Sequence, residues 1–482
     1  MSFLSDLQGK QLFLVGIKGT GMATLACQLV RFGVNVTGSD VPEVFATEAV
    51  LKAANITWFE TFSAEVMPAD CTMLIHSAAY TSANLQVSRA IQNKILVFSY
   101  PQFVAHLSRT LPSFGIAGTH GKSTACGSLD WILRKTGVSY LSLYGTHIQG
   151  ELVLANPIGE DFSILEACEY RDHFLLYDLQ GVLVTTVEHD HPDWFKDEEQ
   201  TLQSFKRLLL QLPFSSFAVC PTDSSMSRQL IEWIGFERPD LTVITYGQHA
   251  SSILRLTEYT GGLQESSYRL EPLHGHFHTQ LASIPLCLDG VGAAILGSCI
   301  LLRCKSGSFD VQSLLADPIL AALLNENSSF PGCAGRVEVL FEAEGVVYVQ
   351  DYAHHPREIE VSLASLRERF PWRRVVVVFF PHTASRTMAF FDEFVTALSL
   401  ADKAVIRPIA TSARHDGDSN CAHALGQQLA QATGALFCEA EEVLISSLGD
   451  LLHPGDLCVT MGAGNTHGVA MRIASHRRSE SC

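Results

Sequence analysis

The chain has 482 residues, 47% of them hydrophobic and 17% charged, which is about three domains at ~150 residues each and excludes a short binding module or a globally disordered chain. Its 33 Lys and Arg against 50 Asp and Glu leave a net charge of −17, which disfavours broad binding to nucleic acid or to an anionic membrane but leaves room for a local basic pocket. No run reaches the ~18 apolar residues of a membrane-crossing helix, no signal peptide is expected at the N-terminus, and the 13 scattered cysteines without a CxxC pair fit free thiols in a reducing cytoplasm.

The first predicted elements are a strand at 12–15, a glycine turn, a helix through Leu25, Leu29 and Val30, and a second strand running from Val34 to Asp40. Strand, glycine turn, helix, strand opens a doubly wound sheet. Further buried strands are expected at 72–76 and 95–98, closing a first domain over 1–108. The turn Gly16-Ile-Lys-Gly19-Thr20-Gly21 has the order G-x-x-G-x-G where a dinucleotide fingerprint has G-x-G-x-x-G, and Asp40 lies at a distance suited to a ribose hydroxyl. A diphosphate-bearing ligand is the favoured reading of this turn, a bare βα turn the plainer one, and NAD a minor alternative.

A second strand–turn–helix starts at Ser113 and carries Gly118-Thr119-His120-Gly121-Lys122-Ser123-Thr124. Backbone N–H groups of such a turn converge on phosphate at a helix N-terminus, the lysine reaches the β- and γ-phosphates, and a hydroxyl holds Mg²⁺. Strict phosphate-loop spacing would place glycine at Ile116, so the loop is a variant. Glu166-Ala-Cys-Glu169 ends one predicted strand and Glu188-His-Asp-His191 the next, where metal ligands belong in open α/β sheets, although acidic strand ends are also ordinary solvated punctuation. A polar helix is expected over 197–212, its acidic first turn exposed, and a helix over 291–302; the alternation around Leu286 suggests a strand. The turn-rich Ser328–Gly332 ends a central domain over 109–328, and the remaining 329–482 repeats the α/β grammar with strands at 346–349, 374–380, 404–409 and 457–461. His274, His276 and His278 read as a solvated strand face, Cys299 and Cys304 as small core residues.

Taken in order, the Gly118–Thr124 loop, Glu166–Glu169 and Thr185–His191 resemble the central-domain motifs of the Mur ligases. The first glycine turn with Gly38–Asp40 and His76-Ser77-Ala78 is similar to that family's UDP-binding domain. Asp351-Tyr352-Ala-His354-His-Pro356 and Gly462-Ala-Gly464 are similar to its C-terminal domain, and Pro381-His382 with Ser385-Arg386-Thr387 resembles the alanine-adding branch. The resemblance implies three α/β domains: Rossmann-like, central phosphate-loop ATPase, Rossmann-like. It implies a cytoplasmic ATP-dependent amide ligase of peptidoglycan synthesis, monomer or homodimer. ATP would phosphorylate the lactyl carboxylate of UDP-N-acetylmuramate, and the amine of L-alanine would displace the phosphate.

By the same likeness Lys122, Glu166 and His191 are catalytic, and Ser123, Thr124, Glu166 and His191 hold Mg²⁺. ATP is bound by Gly118 to Thr124 (Gly118, Thr119, His120, Gly121, Lys122, Ser123, Thr124) with Arg336 and Asp351. The UDP-sugar is bound by Gly16, Gly19, Thr20, Gly21, Asp40 and Ser77, and the amino acid by Tyr352, His354, His382 and Arg386. The chain departs from the family in lacking a His-Asn pair near Ile284–Gly290, in Gly335 beside Arg336, in Thr383 where many alanine-adding members have arginine, in Asn465 for aspartate, and over 410–414. A sister ligase that attaches a recycled peptide to the same sugar nucleotide, a non-catalytic relative, and a nicotinamide oxidoreductase are the competing readings.

Overall fold

The computed structural model describes residues 3–153, 155–409 and 419–480; the departure at 410–414 lies outside them. Among the described residues the strands form three sheets. The first is parallel throughout, in the order β3-β2-β1-β4-β5, from β1 (Gln11–Val15), β2 (Asn35–Ser39), β3 (Thr57–Phe59), β4 (Cys71–His76) and β5 (Leu96–Ser99). Leu12 to Val15 are fully buried, as a central parallel strand covered on both faces requires.

The second sheet has nine strands, ordered β14-β13-β12-β11-β10-β9-β6-β8-β7. They are β6 (Ser113–Ala117), β7 (Tyr140–Leu143), β8 (Phe162–Glu166), β9 (Gly181–Val184), β10 (Phe217–Pro221), β11 (Thr242–Gly247), β12 (Leu254–Thr260), β13 (Ser266–Glu271) and β14 (Phe277–Thr279). Its body is parallel, and an antiparallel edge follows at β12 to β14. The third sheet, ordered β15-β16-β20-β17-β18-β19, is parallel except where β15 (Glu338–Ala343) joins β16 (Val346–Asp351). It is completed by β17 (Val375–Phe380), β18 (Lys403–Ile406), β19 (Leu436–Phe437) and β20 (Leu457–Gly462).

Four sequence expectations need correction. Leu286 is helical, not extended: Pro285 sits in the first turn of the helix Ile284–Ser306, where its missing N–H removes no hydrogen bond. That 23-residue helix is long and apolar enough to cross a membrane by length and composition, but most of it is buried in the central unit. Gly297 lets it approach Leu129 and Leu323, and Gly292 lets it approach Tyr246. The three histidines do not share a strand, since only His278 lies in β14, although all three are exposed. Cys299 is core, whereas Cys304 is exposed near the helix end.

The three units are tied by side chains. From the helix Thr20–Arg31 of the first, Gln28 donates to the Ser142 carbonyl (2.9 Å) and Arg31 to the Asn156 carbonyl (2.6 Å) of the second. The helix Pro356–Arg369 of the third lies along the central unit: Ser365 donates to the Ala282 carbonyl (3.1 Å), and Glu368 accepts from Tyr259 and Ser266. Its other end therefore sits over the phosphate loop.

Candidate active site

The loop between β6 and the helix Lys122–Leu133 folds as it does because two glycines permit it. Gly118 and Gly121 have φ of +139° and +83°, and a Cβ on either would collide with Thr185 or Asp289. Gly121 caps the helix without a side chain, so the N–H groups of the first turn stay aimed out of the helix end. Lys122 folds back over the loop, donating to the carbonyls of Gly118 and Thr119 and to Glu169 Oε2 (2.9 Å). Ser123 donates to Glu166 Oε1 (2.9 Å), whose other oxygen accepts from the Gly145 N–H (2.7 Å). Thr119 and Thr124 are buried beside them, and Arg336 Nη2 reaches Ser123 Oγ at 3.4 Å.

Glu169 is the residue whose importance sequence reasoning understated. It is fully buried, and its Oε1 has no hydrogen-bond partner, lying 3.4 Å from His191 Nε2 while Oε2 pairs with Lys122. Burial alone would raise its carboxyl, but Lys122 and His191 outweigh that and hold it below the usual range. The signal was present in the Glu-Ala-Cys-Glu run; only the fold shows that Glu166 and Glu169 face different partners.

His191 adopts a left-handed backbone (φ +55°) just past β9, and its Nδ1 lies 3.4 Å from Nη2 of Arg386 in the third unit. Arg386 and Asp190 form a buried ion pair across the two units: Nε donates to Oδ1 (3.0 Å) and Nη2 to Oδ2 (3.1 Å), each residue only 4% exposed. An unbroken polar chain therefore runs from Lys122 through Glu169 and His191 to Arg386 and Asp190. His120 of the loop pairs with Glu358 (3.2 Å), which also accepts from the N–H of His354 (2.9 Å) at the capped start of the helix Pro356–Arg369. Neither Asp190 nor Glu358 was singled out by sequence, because each acquires its partner only when two distant segments meet.

Lys122, Ser123, Glu166, Asp190, His191, Glu358 and Arg386 line one cavity of about 700 Å³ between the second and third units, with Glu169 buried behind them. Of the expected amino-acid residues, Tyr352, His354, His382 and Arg386 all line it. The Arg336 guanidinium stacks over Tyr352 (4.8 Å), and the His354 and His382 rings meet edge to face (5.4 Å). Burial pushes His354 down to about 3, so its imidazole is neutral at ordinary pH, while burial pushes Asp351 up to about 6. Asp289, in the segment that departs from the family, also faces the cavity as a carboxyl that burial pushes well up.

The first glycine turn lies elsewhere. Both oxygens of Asp40 accept backbone N–H groups, from Lys18 (2.7 Å) and Val41 (2.8 Å), so this carboxylate closes its own loop. Gly16 and Ser77 adjoin Tyr80, and Gly21 packs against Tyr100. Gly19 caps the helix Thr20–Arg31 with no side-chain hydrogen bond. Thr20 abuts Gly145, the residue whose N–H holds Glu166, so the first unit reaches the edge of the phosphate site here.

The residues fit an ATP-bound Mg²⁺. Among the described residues no three His, Cys, Asp or Glu converge on a cage. Magnesium, however, is commonly held by one or two carboxylates together with substrate phosphates. The Ser123 hydroxyl with the Glu166 carboxylate, and the buried Glu169 Oε1 beside His191, supply donors of that kind.

Comparison with known proteins matches all three units. A family model described as Mur ligase family, catalytic domain covers residues 12–111, one described as Mur ligase middle domain covers 116–286, and one described as Mur ligase, glutamate ligase domain covers 335–464. A UDP-N-acetylmuramate–L-alanine ligase of Treponema pallidum is 33% identical over 467 residues, 95% of each chain. The fold is shared with the UDP-N-acetylmuramate–alanine ligase of Thermotoga maritima (TM-score 0.75, 19% identity, 98% of this chain and 99% of that one). It is also shared with a murein peptide ligase of Psychrobacter arcticus (TM-score 0.70, 18% identity, 97% and 99%).

Proposed function

The chain belongs to the Mur ligase family, and from that premise we propose that it joins L-alanine to the lactyl carboxylate of UDP-N-acetylmuramate, driven by ATP, in peptidoglycan precursor synthesis. The observation that carries this reading is the polar chain from Lys122 to Arg386. It joins a phosphate loop to a cation brought by the C-terminal unit, as a reaction between two anionic substrates and an amino acid requires. The lactyl carboxylate takes the γ-phosphoryl group and ADP leaves; the uncharged amine then attacks the acyl carbon, and phosphate departs as the amide forms.

In this scheme Gly118 to Thr124 bind the ATP phosphates by backbone N–H groups, and Lys122 supplies fixed positive charge along the path of the transferred group. Ser123, Thr124, Glu166, Glu169 and His191 hold Mg²⁺, which when bound offsets phosphate charge. Arg336 and Asp351 face the nucleotide. The first unit binds the sugar nucleotide through the helix terminus at Gly19 and Thr20 with Gly16, Gly21 and Ser77, Asp40 shaping that turn from behind. Tyr352, His354, His382 and Arg386 receive the amino acid. Unit borders near residues 108 and 328, a cytoplasmic location beside the nucleotide pool, and a monomer or homodimer complete the proposal.

Phosphate release from ATP and UDP-N-acetylmuramate, measured with each amino acid in turn and with the recycled peptide, tests it. Release strongest with L-alanine is expected. Release with the peptide alone would assign the sister activity, and none with any acceptor would refute the ligase reading.

A further inference from the structure

The Asp190–Arg386 pair does more than join two units. Asp190 stands just past β9 in the central unit, with Oδ1 also accepting the N–H of His191 (2.6 Å), so the carboxylate is fixed on its own loop. Arg386 comes from the helix Ala384–Ala389, whose cap, Thr383, accepts the Arg386 N–H (3.3 Å). The pair occupies the Nε and Nη2 edge of the guanidinium and leaves Nη1 as the edge not used. We infer that Asp190 is a positioning residue for the amino-acid substrate: it draws Arg386 onto the reaction centre and fixes which edge of the fork meets the substrate carboxylate.

The physical argument turns on two effects of opposite sign. An arginine ordered beforehand spares the substrate the entropy of ordering it, and a displaced fork loses orientation steeply. A carboxylate beside the guanidinium, however, cancels part of its charge and so weakens its pull on a second carboxylate. Burial of both partners favours the first effect, since an arginine without Asp190 would be a buried, uncompensated cation and would turn toward another carboxylate, Glu358 being one that already acts on it.

The inference rests on the amino-acid ligase reading, and steady-state kinetics of the full chain separate the two. Asp190→Asn keeps the volume and removes the charge. Positioning predicts that the Michaelis constant for L-alanine rises about tenfold or more, the scale of a lost charge-assisted hydrogen bond, while those for ATP and UDP-N-acetylmuramate stay within about twofold; Asp190→Glu restores part of the loss. Arg386→Lys, which keeps the charge and loses the fork, should raise the same constant and serves if Asp190→Asn does not fold. An unchanged or lower alanine constant in Asp190→Asn, or an unchanged one in Arg386→Lys, overturns the inference. So does a uniform loss in all three constants that tracks a lower melting temperature. Wild-type protein with no amino-acid-dependent phosphate release overturns the ligase reading itself, and this inference with it.

Discussion

Replacing Glu169 with Gln removes one charge at nearly constant volume from the most buried part of the site. The Glu169 side chain is 1% exposed and that of Lys122 12%, so Lys122 loses its carboxylate contact at 2.9 Å in a region that water hardly reaches. Removing one partner of a buried pair costs about 3–5 kcal/mol. Gln can still accept from Lys122, which favours the lower end. At about 2–4 °C per kcal/mol for a unit of 150–250 residues, the transition that unfolds the central unit should fall by roughly 6–12 °C. The pH dependence has a definite sign. A depressed carboxyl contributes stability above its unfolded value near 4 and loses it as pH falls through its lower folded value, so wild type and variant should converge in acid. Phosphate release should fall by ~10²-fold or more because Lys122 loses the partner that fixes it beside the transferred group. Scanning calorimetry across pH, with phosphate release titrated in Mg²⁺, reads both effects. A variant that melts and turns over like wild type would remove Glu169 from the site.

Lys122→Ala should abolish phosphate release while calorimetry on the full chain still detects UDP-N-acetylmuramate; near-normal turnover would refute the phosphate-loop assignment. Asp351, pushed up to about 6 by burial, stays protonated in the folded chain to higher pH than in the unfolded one. Stability should therefore drop by up to about 3 kcal/mol between pH 4 and 6. Asp351→Asn should lose that slope and raise the Michaelis constant for ATP, as pH-dependent melting and kinetics will show. Thr383→Arg puts a second cation near Arg386 but removes a helix cap, so alanine affinity should improve while the melting temperature falls by the equivalent of ~1 kcal/mol. Improvement without that drop would show that the cap does not matter.

The parts of this molecule legible in sequence are those with local causes. The central strands of the first and third sheets are continuous apolar runs, such as Leu12 to Val15 and Val375 to Phe379, buried on both faces, and the phosphate loop is announced by glycines whose left-handed backbone no other residue adopts cheaply. Family membership followed from motifs in sequence order. Legibility failed where the cause is distant. Strand β10 is fully buried while β12 to β14 alternate buried and exposed positions, so no single pattern marked this half of the sheet, and Leu286 borrowed a false period from its neighbours. Glu166 and Glu169 are three residues apart in similar company, yet one meets Ser123 and the other Lys122. Asp190 and Glu358 look like solvated acids until Arg386 and His120 arrive from the other unit.

The charge balance of the cavity ties these residues to a single requirement. Among the described residues eight carboxylates line it, against four lysine and arginine side chains. A site for polyanionic substrates would be expected to hold the opposite excess. Part of the difference disappears because burial keeps Asp289 and Asp351 toward their neutral forms. Part disappears in the Arg386–Asp190 pair, which turns two free charges into a fixed dipole, whereas Lys122 is already paired with Glu169, a carboxylate outside the lining. What remains is still acidic around Glu166 and Glu188, so nucleotide phosphates entering alone would meet repulsion from both. A divalent cation entering with the nucleotide would reverse that sign beside Glu166. The carboxylate excess is therefore expected to favour a metal-bound nucleotide over the free one, which nucleotide titration with and without Mg²⁺ checks.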